Sequence, residues 1–210
     1  MMSTKLVSLA LVFALCYGNW TAAAQNSADA SLNFDHEAAD KLPMDWTAVT
    51  STLVIANDGA NKAMKQAGKS KGERFNVCIN NKLKYQNLEI ELRIKPMEGT
   101  EDRGGGLVWR FHDAKNYYIA RANPLENNLS IYKVVNGNRK QVKSVDVKMK
   151  AGEWYKLKVV MIGNTMDCYF NGEKLLNATD TTFPNAGRVG FWSKADAVSL
   201  FDDLKIKDLK

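Results

Sequence analysis

The sequence predicts an all-β protein, a two-sheet antiparallel β-sandwich, and three observations carry that expectation. Leu88, Ile90, Leu92 and Ile94 alternate strictly with Glu89, Glu91, Arg93 and Lys95, the period of a strand buried on one side and wet on the other. From Gly104 to Ile206 short β-branched and aromatic runs recur between Asn and Gly turns, at the regular spacing of sandwiches and jelly rolls. No segment of that stretch shows a helical apolar period.

The elements follow in order. Ser31 to Trp46 opens with Asn33-Phe34-Asp35 as a strand, then a turn through Leu42-Pro43-Met44-Asp45 to a buried Trp46. Pro43 confines Leu42 to an extended shape. Val49 to Ile55 is a β-branched strand. The polar, basic stretch Asn57 to Gly72 reads as loop with one short strand near Met64. Phe75, Val77 and Ile79 then alternate with Asn76, Cys78 and Asn80, and Leu88 to Ile94 is ended by Pro96. A charged, glycine-rich loop, Glu98 to Gly106, leads to a hairpin of Leu107 to His112 and Tyr117 to Ala122. Leu129 to Val135 and Lys140 to Val147 are joined by Asn136-Gly137, the strongest short hairpin signal. Trp154 to Ile162 and Thr165 to Phe170 turn at Gly163-Asn164. Asn171-Gly172 leads into Lys174 to Asn177, and Gly187 to Ser193 and Val198 to Ile206 close the chain. The count is roughly twelve to fourteen strands.

The start of the chain reads as a secretion signal over residues 1–24. Lys5 gives a positive start, Leu6 to Tyr17 is an uncharged apolar run, and Ala22-Ala23-Ala24 offers small residues for cleavage. The run is shorter than the roughly 20 residues that span a bilayer. Cleavage is expected after Ala24, with Ala30 as the second choice. Lipoprotein processing at Cys16 is disfavoured by the bulk of Leu15. Residues 25–210 then form a single domain that is secreted or periplasmic. The formal net charge of the whole chain is +6, and removal of Lys5 leaves +5. That weak basic excess slightly favours acidic glycans or surfaces. It comes without a basic helix or an aromatic nucleic-acid motif, which excludes nucleic acid as a partner. Cys78 and Cys168 remain after export, either bridged or as two buried thiols.

The polar residues of the strands suggest a binding face. With Leu107, Trp109 and Phe111 inward, Val108, Arg110 and His112 point out. With Tyr118, Ala120 and Ala122 inward, Tyr117, Ile119 and Arg121 join them. Adding Glu89, Glu91 and Arg93 gives guanidinium forks, carboxylates and a Tyr ring, a mixture that suits sugar hydroxyls and C–H faces. The opposite register would expose Trp109 and bury Arg110, which is costly without partners. A solvated face tiled with ion pairs is the competing reading. Lys62, Lys65, Lys69, Lys71 and Arg74 form one basic loop, and Arg139, Lys140 and Lys143 form another. His36 and His112 lack a serine or cysteine in a nucleophile-like turn, and no His/Cys/Asp cluster has zinc spacing. Asn128-Leu129-Ser130 and Asn177-Ala178-Thr179 fit the N-glycosylation pattern.

These landmarks, taken together and in order, resemble the concanavalin A-like lectin/glucanase superfamily, the laminin-G-like jelly rolls. Within it the chain is most similar to bacterial 3-keto-disaccharide hydrolase-like domains, also called family 16 glycoside hydrolase-like. The matching pieces are Asn33-Phe34-Asp35 with Leu42-Pro43 and Trp46, Leu88 to Ile94, and Gly106-Leu107-Val108-Trp109-Arg110. They continue through Tyr117-Tyr118-Ile119-Ala120-Arg121, Asn128 to Lys133, Trp154-Tyr155-Lys156-Leu157 and Asp167 to Gly172. Gly187-Arg188-Val189-Gly190-Phe191 and Phe201-Asp202-Asp203-Leu204 complete the set. The resemblance implies a concanavalin A-like jelly roll that binds or processes carbohydrate on a concave sheet face. The expected ligand contacts are Arg110, Arg121, Glu89, Glu91, Arg93 and Tyr117. A hydrolase or lyase acting on 3-keto-glycosides is the alternative, with Glu89, Glu91 or His112 as acid/base candidates, and a laminin-G-like adhesion domain is a third. Retaining glucanases of the superfamily carry Glu-x-Asp-x-x-Glu on one strand. Here Glu89-Ile90-Glu91-Leu92-Arg93 lacks the last carboxylate, and Arg93 would keep its neighbours ionised, so an ordinary glucanase is not expected. Asp35, Asp202 and Asp203 would share a structural Ca²⁺ if the first and last strands pair, as in similar jelly rolls.

Overall fold

The computed structural model describes residues 28–66, 72 and 74–210. The secretion signal and its cleavage sites up to Ala24 lie outside these residues, as do Lys69 and Lys71 of the basic loop. Fifteen strands are described. The first five are β1 (Ala30–Leu32), β2 (Trp46–Ala48), β3 (Leu53–Asp58), β4 (Asn61–Gln66) and β5 (Phe75–Tyr85). Next come β6 (Leu88–Glu98), β7 (Gly105–Asp113), β8 (Asn116–Asn123), β9 (Asn128–Val135) and β10 (Asn138–Asp146). The last five are β11 (Tyr155–Ile162), β12 (Thr165–Phe170), β13 (Glu173–Thr179), β14 (Gly187–Lys194) and β15 (Val198–Asp208).

All pairings are antiparallel and build two sheets. The first runs β13-β12-β11-β6-β15-β4-β3, with β1 added on β15; the second runs β10-β9-β8-β7-β14-β5-β2. The fold is the jelly-roll β-sandwich expected. Among the described residues no helix is long and apolar enough to cross a membrane.

The alternation in the sequence decides what lies between the sheets. Leu88, Ile90, Leu92 and Ile94 of β6 are fully buried there, opposite Leu107 and Trp109 of β7, Tyr118 and Ala120 of β8 and Phe191 of β14. Burying one such side chain stabilises the fold by about 1.5–3 kcal/mol. Phe191 ties the layers together. Its ring stacks on Phe201 of β15 at 4.8 Å and on Trp46 at 4.8 Å, and Phe34 packs edge-on against both Trp46 and Phe191. The Trp109 indole N–H, also inward, donates to Met161 Sδ at 2.9 Å.

Turn chemistry sets the registers. Asn136 (φ 52°) and Gly137 (φ 83°) form the left-handed pair that a two-residue hairpin needs, and Asn171 (φ 50°) and Gly172 (φ 88°) repeat it. The loop strand expected near Met64 is β4, with Met64 fully buried. The opening strand is Ala30–Leu32 rather than Asn33–Asp35, and it pairs with β15, so first and last strands are neighbours. Pro96 does not end its strand. β6 continues to Glu98, and the β15 pairing shifts register beside Pro96, between Val198 and Ser199, where the missing N–H is tolerated.

Cys78 and Cys168 are free and buried. They lie on β5 and β12, strands of opposite sheets, and burial pushes both thiols up to about 12.

Candidate functional site

The second sheet is covered by the core on one face only, yet its other face is not polar. Val77, Ile79, Val108, Phe111, Tyr117, Ile119, Tyr132, Val134 and Trp192 form a separate apolar cluster there, and no described strand packs over it. The cross-strand registers place these side chains in rows. One row runs Ile79, Gly190, Val108, Ile119, Tyr132; a second runs Val77, Trp192, Gly106, Arg121, Ser130; a third holds Tyr117, Val134 and Arg139.

The face is concave. β10 and β5 are five strand spacings apart, about 24 Å if the sheet were flat. Yet the Arg139 guanidinium of β10 lies 5.7 Å from the Phe75 ring of β5, 5.5 Å from the Trp192 ring and 4.5 Å from the Tyr132 ring. Only a strongly curled sheet lets one arginine reach that far. The guanidinium is stacked on rings, which suits its flat, weakly hydrated form.

At one end of the face Arg121 is almost fully buried in a polar network. Its Nη1 donates to Asp102 Oδ2 and Glu126 Oε1, both at 3.2 Å, and its Nη2 donates to Glu126 Oε2 at 2.5 Å and Asn128 Oδ1 at 3.0 Å. Its guanidinium lies 5.3 Å from the Tyr132 ring. Burial pushes the Asp102 carboxyl above its ordinary value, against the pull of Arg121 and of the Gly104 N–H. Burial also pushes Glu126 up, but there the Arg121 guanidinium and Asn128 outweigh it and hold the carboxyl low. The loop carrying Asp102 is clamped by Asp196, which accepts from Thr100 N at 2.7 Å, Thr100 Oγ1 at 2.8 Å, and Glu101 N and Asp102 N at 3.0 Å.

Four polar atoms around this face are buried without a hydrogen-bond partner: Tyr117 Oη, Trp192 Nε1, Arg139 Nη1 and Arg121 Nε. Three of them are neighbours. The Trp192 indole N–H approaches the Tyr117 hydroxyl closely enough to favour its ionised form, without closing a hydrogen bond of good geometry, and Arg139 acts on the same hydroxyl. Burial is the stronger effect and keeps Tyr117 protonated well above its ordinary value. A buried polar group left unsatisfied costs about 1–3 kcal/mol, so a cluster of them on one face makes that face the candidate site. Aromatic faces for C–H groups and fixed donors for oxygens make up its chemistry.

The structure brings together only some of the residues expected to bind ligand. Tyr117 and Arg121 share the concave face. Glu89, Glu91 and Arg93 do not: β6 belongs to the other sheet, and they lie on its outer side. There Glu89 pairs with Lys207 at 3.3 Å and Lys158 at 3.7 Å, while Arg93 pairs with Asp203 at 3.3 Å and stacks 4.6 Å from the Trp154 ring. Arg110 is on neither face. It has φ 45° within a β-bulge of β7, which turns its fully buried side chain to the end of the sandwich. Its Nε and Nη2 donate to the Gln86 carbonyl at 3.0 and 2.7 Å, its Nη2 also to Gly163 O at 2.7 Å, and its Nη1 to Phe183 O at 2.6 Å. The same bulge moves Phe111, expected in the core, onto the outer cluster.

The acid/base candidates Glu89, Glu91 and His112 do not converge either. His112 stands at the end of β7 with its ring 5.7 Å from Phe183, and burial lowers its pKa. His36 is exposed. Among the described residues no group of three His, Cys, Asp or Glu side chains is spaced to hold a metal ion. Asp35, Asp202 and Asp203 do lie near one another. Burial raises the Asp202 carboxyl, and Asp203 and Asp35 add to this, while Asp35 accepts from Lys62 N at 3.0 Å and Asp203 is taken by Arg93.

Sequence reasoning missed Tyr132, Trp192 and Arg139. The signal for Tyr132 and Arg139 was present. Asn136-Gly137 forces Val134 opposite Arg139 and so fixes which side chains leave the core. What it did not show was that the sheet curls.

A family model of the 3-keto-alpha-glucoside-1,2-lyase-like domain matches residues 19–207. The chain belongs to this family. None of the curated proteins matches it. Among solved structures, the carbohydrate-binding module CBM66 from Bacillus subtilis superposes with a TM-score of 0.68 at 21% identity, over 78% of this chain and 96% of that one. The beta-glucanase of Bacillus licheniformis gives 0.62 at 11% identity, over 88% and 100%. A xylan beta-1,4-xylosidase from Bacillus halodurans gives 0.61 at 16% identity, over 85% of this chain and 39% of that longer one. These likenesses are of fold.

Proposed function

We propose that this protein is an exported carbohydrate-binding domain that holds a glycan on the concave face of its second sheet. The observation that carries the reading is the set of buried, unpartnered donors, Tyr117 Oη, Trp192 Nε1, Arg139 Nη1 and Arg121 Nε, in a bed of aromatic rings. Family membership and the carbohydrate-active proteins that share the fold support the choice of ligand class. Export to the periplasm or beyond, with cleavage after Ala24, belongs to the same proposal. A glycan array followed by calorimetry tests it. A bound sugar should lose roughly tenfold or more in affinity with Tyr132→Ala, since a stacked ring contributes on the order of 1–3 kcal/mol. Absence of any glycan ligand would overturn the reading.

Family membership also favours a second reading, turnover of 3-keto-glycosides. Among the described residues the carboxylates that the concave face offers it are Asp102 and Glu126. Arg121 engages both and holds Glu126 ionised, and both oxygens of Asp102 are already taken by Arg121, Gly104 N and Asn123, which leaves neither free to exchange a proton with a substrate. Incubation with 3-keto-trehalose, followed by mass spectrometry, should show no cleavage. Cleavage that disappears in Glu126→Gln or in Asp102→Asn would reverse the order of the two readings.

A further inference from the structure

We propose that the concave face selects an acidic sugar, with Arg139, Tyr117 and Trp192 receiving the carboxylate of a uronic-acid residue. The inference rests on the proposed glycan site and names the chemistry of its ligand.

The argument begins with what the unpartnered atoms are. An indole N–H and a guanidinium N–H only donate. The Tyr117 hydroxyl stays protonated because burial disfavours its anion, so it too has a proton to give. The centre of the face therefore presents donors that call for an acceptor of two or more oxygens.

Charge then separates an anion from a neutral sugar. Arg121 is compensated by Asp102 and Glu126. Arg139 makes no such ion pair among the described residues: Asp102 and Glu126, already held by Arg121, act on it only through space, its ring contacts are Tyr132, Trp192 and Phe75, and its Nη1 is buried without a hydrogen-bond partner. A guanidinium held against rings keeps its edge open for a planar two-oxygen group. A neutral ligand closing over it would leave a desolvated cation with no carboxylate in contact, whereas a carboxylate on the ligand would complete the pair. The rest of the sugar then lies along the row toward Tyr132, with the Arg121 Nε as a further donor to a ring oxygen. The net charge of +5 left after removal of Lys5 favours approach of such a ligand.

The test is calorimetric titration of the purified protein with oligogalacturonates and oligoglucuronates, each against its methyl ester, which keeps the sugar and removes the charge. The acid is expected to bind at least about tenfold tighter than the ester, the worth of one charge-assisted hydrogen bond. Arg139→Gln should abolish that preference, with the acid losing at least about tenfold more affinity than the ester. Tyr117→Phe separates binding from folding. Loss of an unsatisfied buried hydroxyl should leave the melting temperature unchanged or higher, yet weaken uronate binding by several-fold. Equal binding of acid and ester, or a preference that survives Arg139→Gln, would overturn the acidic-sugar assignment while the glycan site stands. If a sulfated glycan that carries no carboxylate binds as tightly as the uronate, the carboxylate assignment falls. If no glycan of either kind binds, both proposals fall.

Discussion

Arg110 and Arg121 look alike in the sequence, each in a strand of alternating character, but their surroundings give them different work. Arg110 is held by the carbonyls of Gln86, Gly163 and Phe183, which belong to three separate turns, so it ties the end of the sandwich together. Arg110→Lys keeps the charge but cannot span three acceptors with a fork. It is expected to cost about 2–4 kcal/mol of stability, read as a lower urea midpoint, with an unchanged denaturant slope. A midpoint equal to that of the unaltered protein would show that water replaces the lost bonds. Its own φ of 45° marks the reason Arg110 was misplaced from sequence: strict alternation assumes no extra residue in the strand, and a bulge adds one.

At the scale of elements, the segment after β13 is pinned to the second sheet by one carboxylate. Asp180 Oδ2 accepts from Lys133 Nζ of β9 at 2.6 Å, and its Oδ1 accepts from the Tyr118 hydroxyl of β8 at 2.8 Å and from Thr182 N at 2.9 Å. Burial alone would raise this group, but those donors outweigh it and set it at about 2, below the ordinary 3.8. A depressed folded-state value means the ionised form is the stabilising one. Its contribution is complete above about pH 4 and is lost as the pH falls toward 2. Asp102, raised by burial, acts in the opposite sense: its contribution is present in acid and fades as the pH rises through its folded value. Urea midpoints at pH 5, 3 and 2 should therefore fall more steeply in the unaltered protein than in Asp180→Asn. Parallel curves would remove Asp180 from the acid limb.

Across the whole molecule, the two sheets are joined by packing and by the chain's own crossovers, and among the described residues by no disulfide. Cys78 and Cys168 stand in opposite sheets as free, buried thiols shifted to about 12. At pH 8 the folded protein should not react with a thiol reagent over minutes, both thiols should titrate in denaturant, and the melting temperature should be the same with and without reductant. A reductant-dependent melting temperature would contradict this picture. The fold also accounts for the placement of the candidate site. The inner side of the second sheet faces the core, and across its outer side Arg139 reaches from the edge to Phe75 and Trp192.

Much of the molecule was legible one strand at a time. The alternation from Leu88 to Ile94, the Asn136-Gly137 and Asn171-Gly172 turns and the run of short strands are local properties of the chain, and they determined the class, the hairpins and most of the inward-facing residues. The landmarks along nearly the whole chain were also enough to indicate its family. Which strands share a sheet was not local. Period two says that Glu89, Glu91 and Arg93 leave the core, but not on which side of the sandwich, because long-range pairing of β6 with β11 and β15 decides that. The bulge at Arg110, the curl that carries Arg139 to Trp192, and the meeting of Tyr117, Tyr132 and Trp192 arise only when residues far apart in sequence are packed. The candidate site was therefore a product of the tertiary structure, while the scaffold that bears it was already written in the order of side chains.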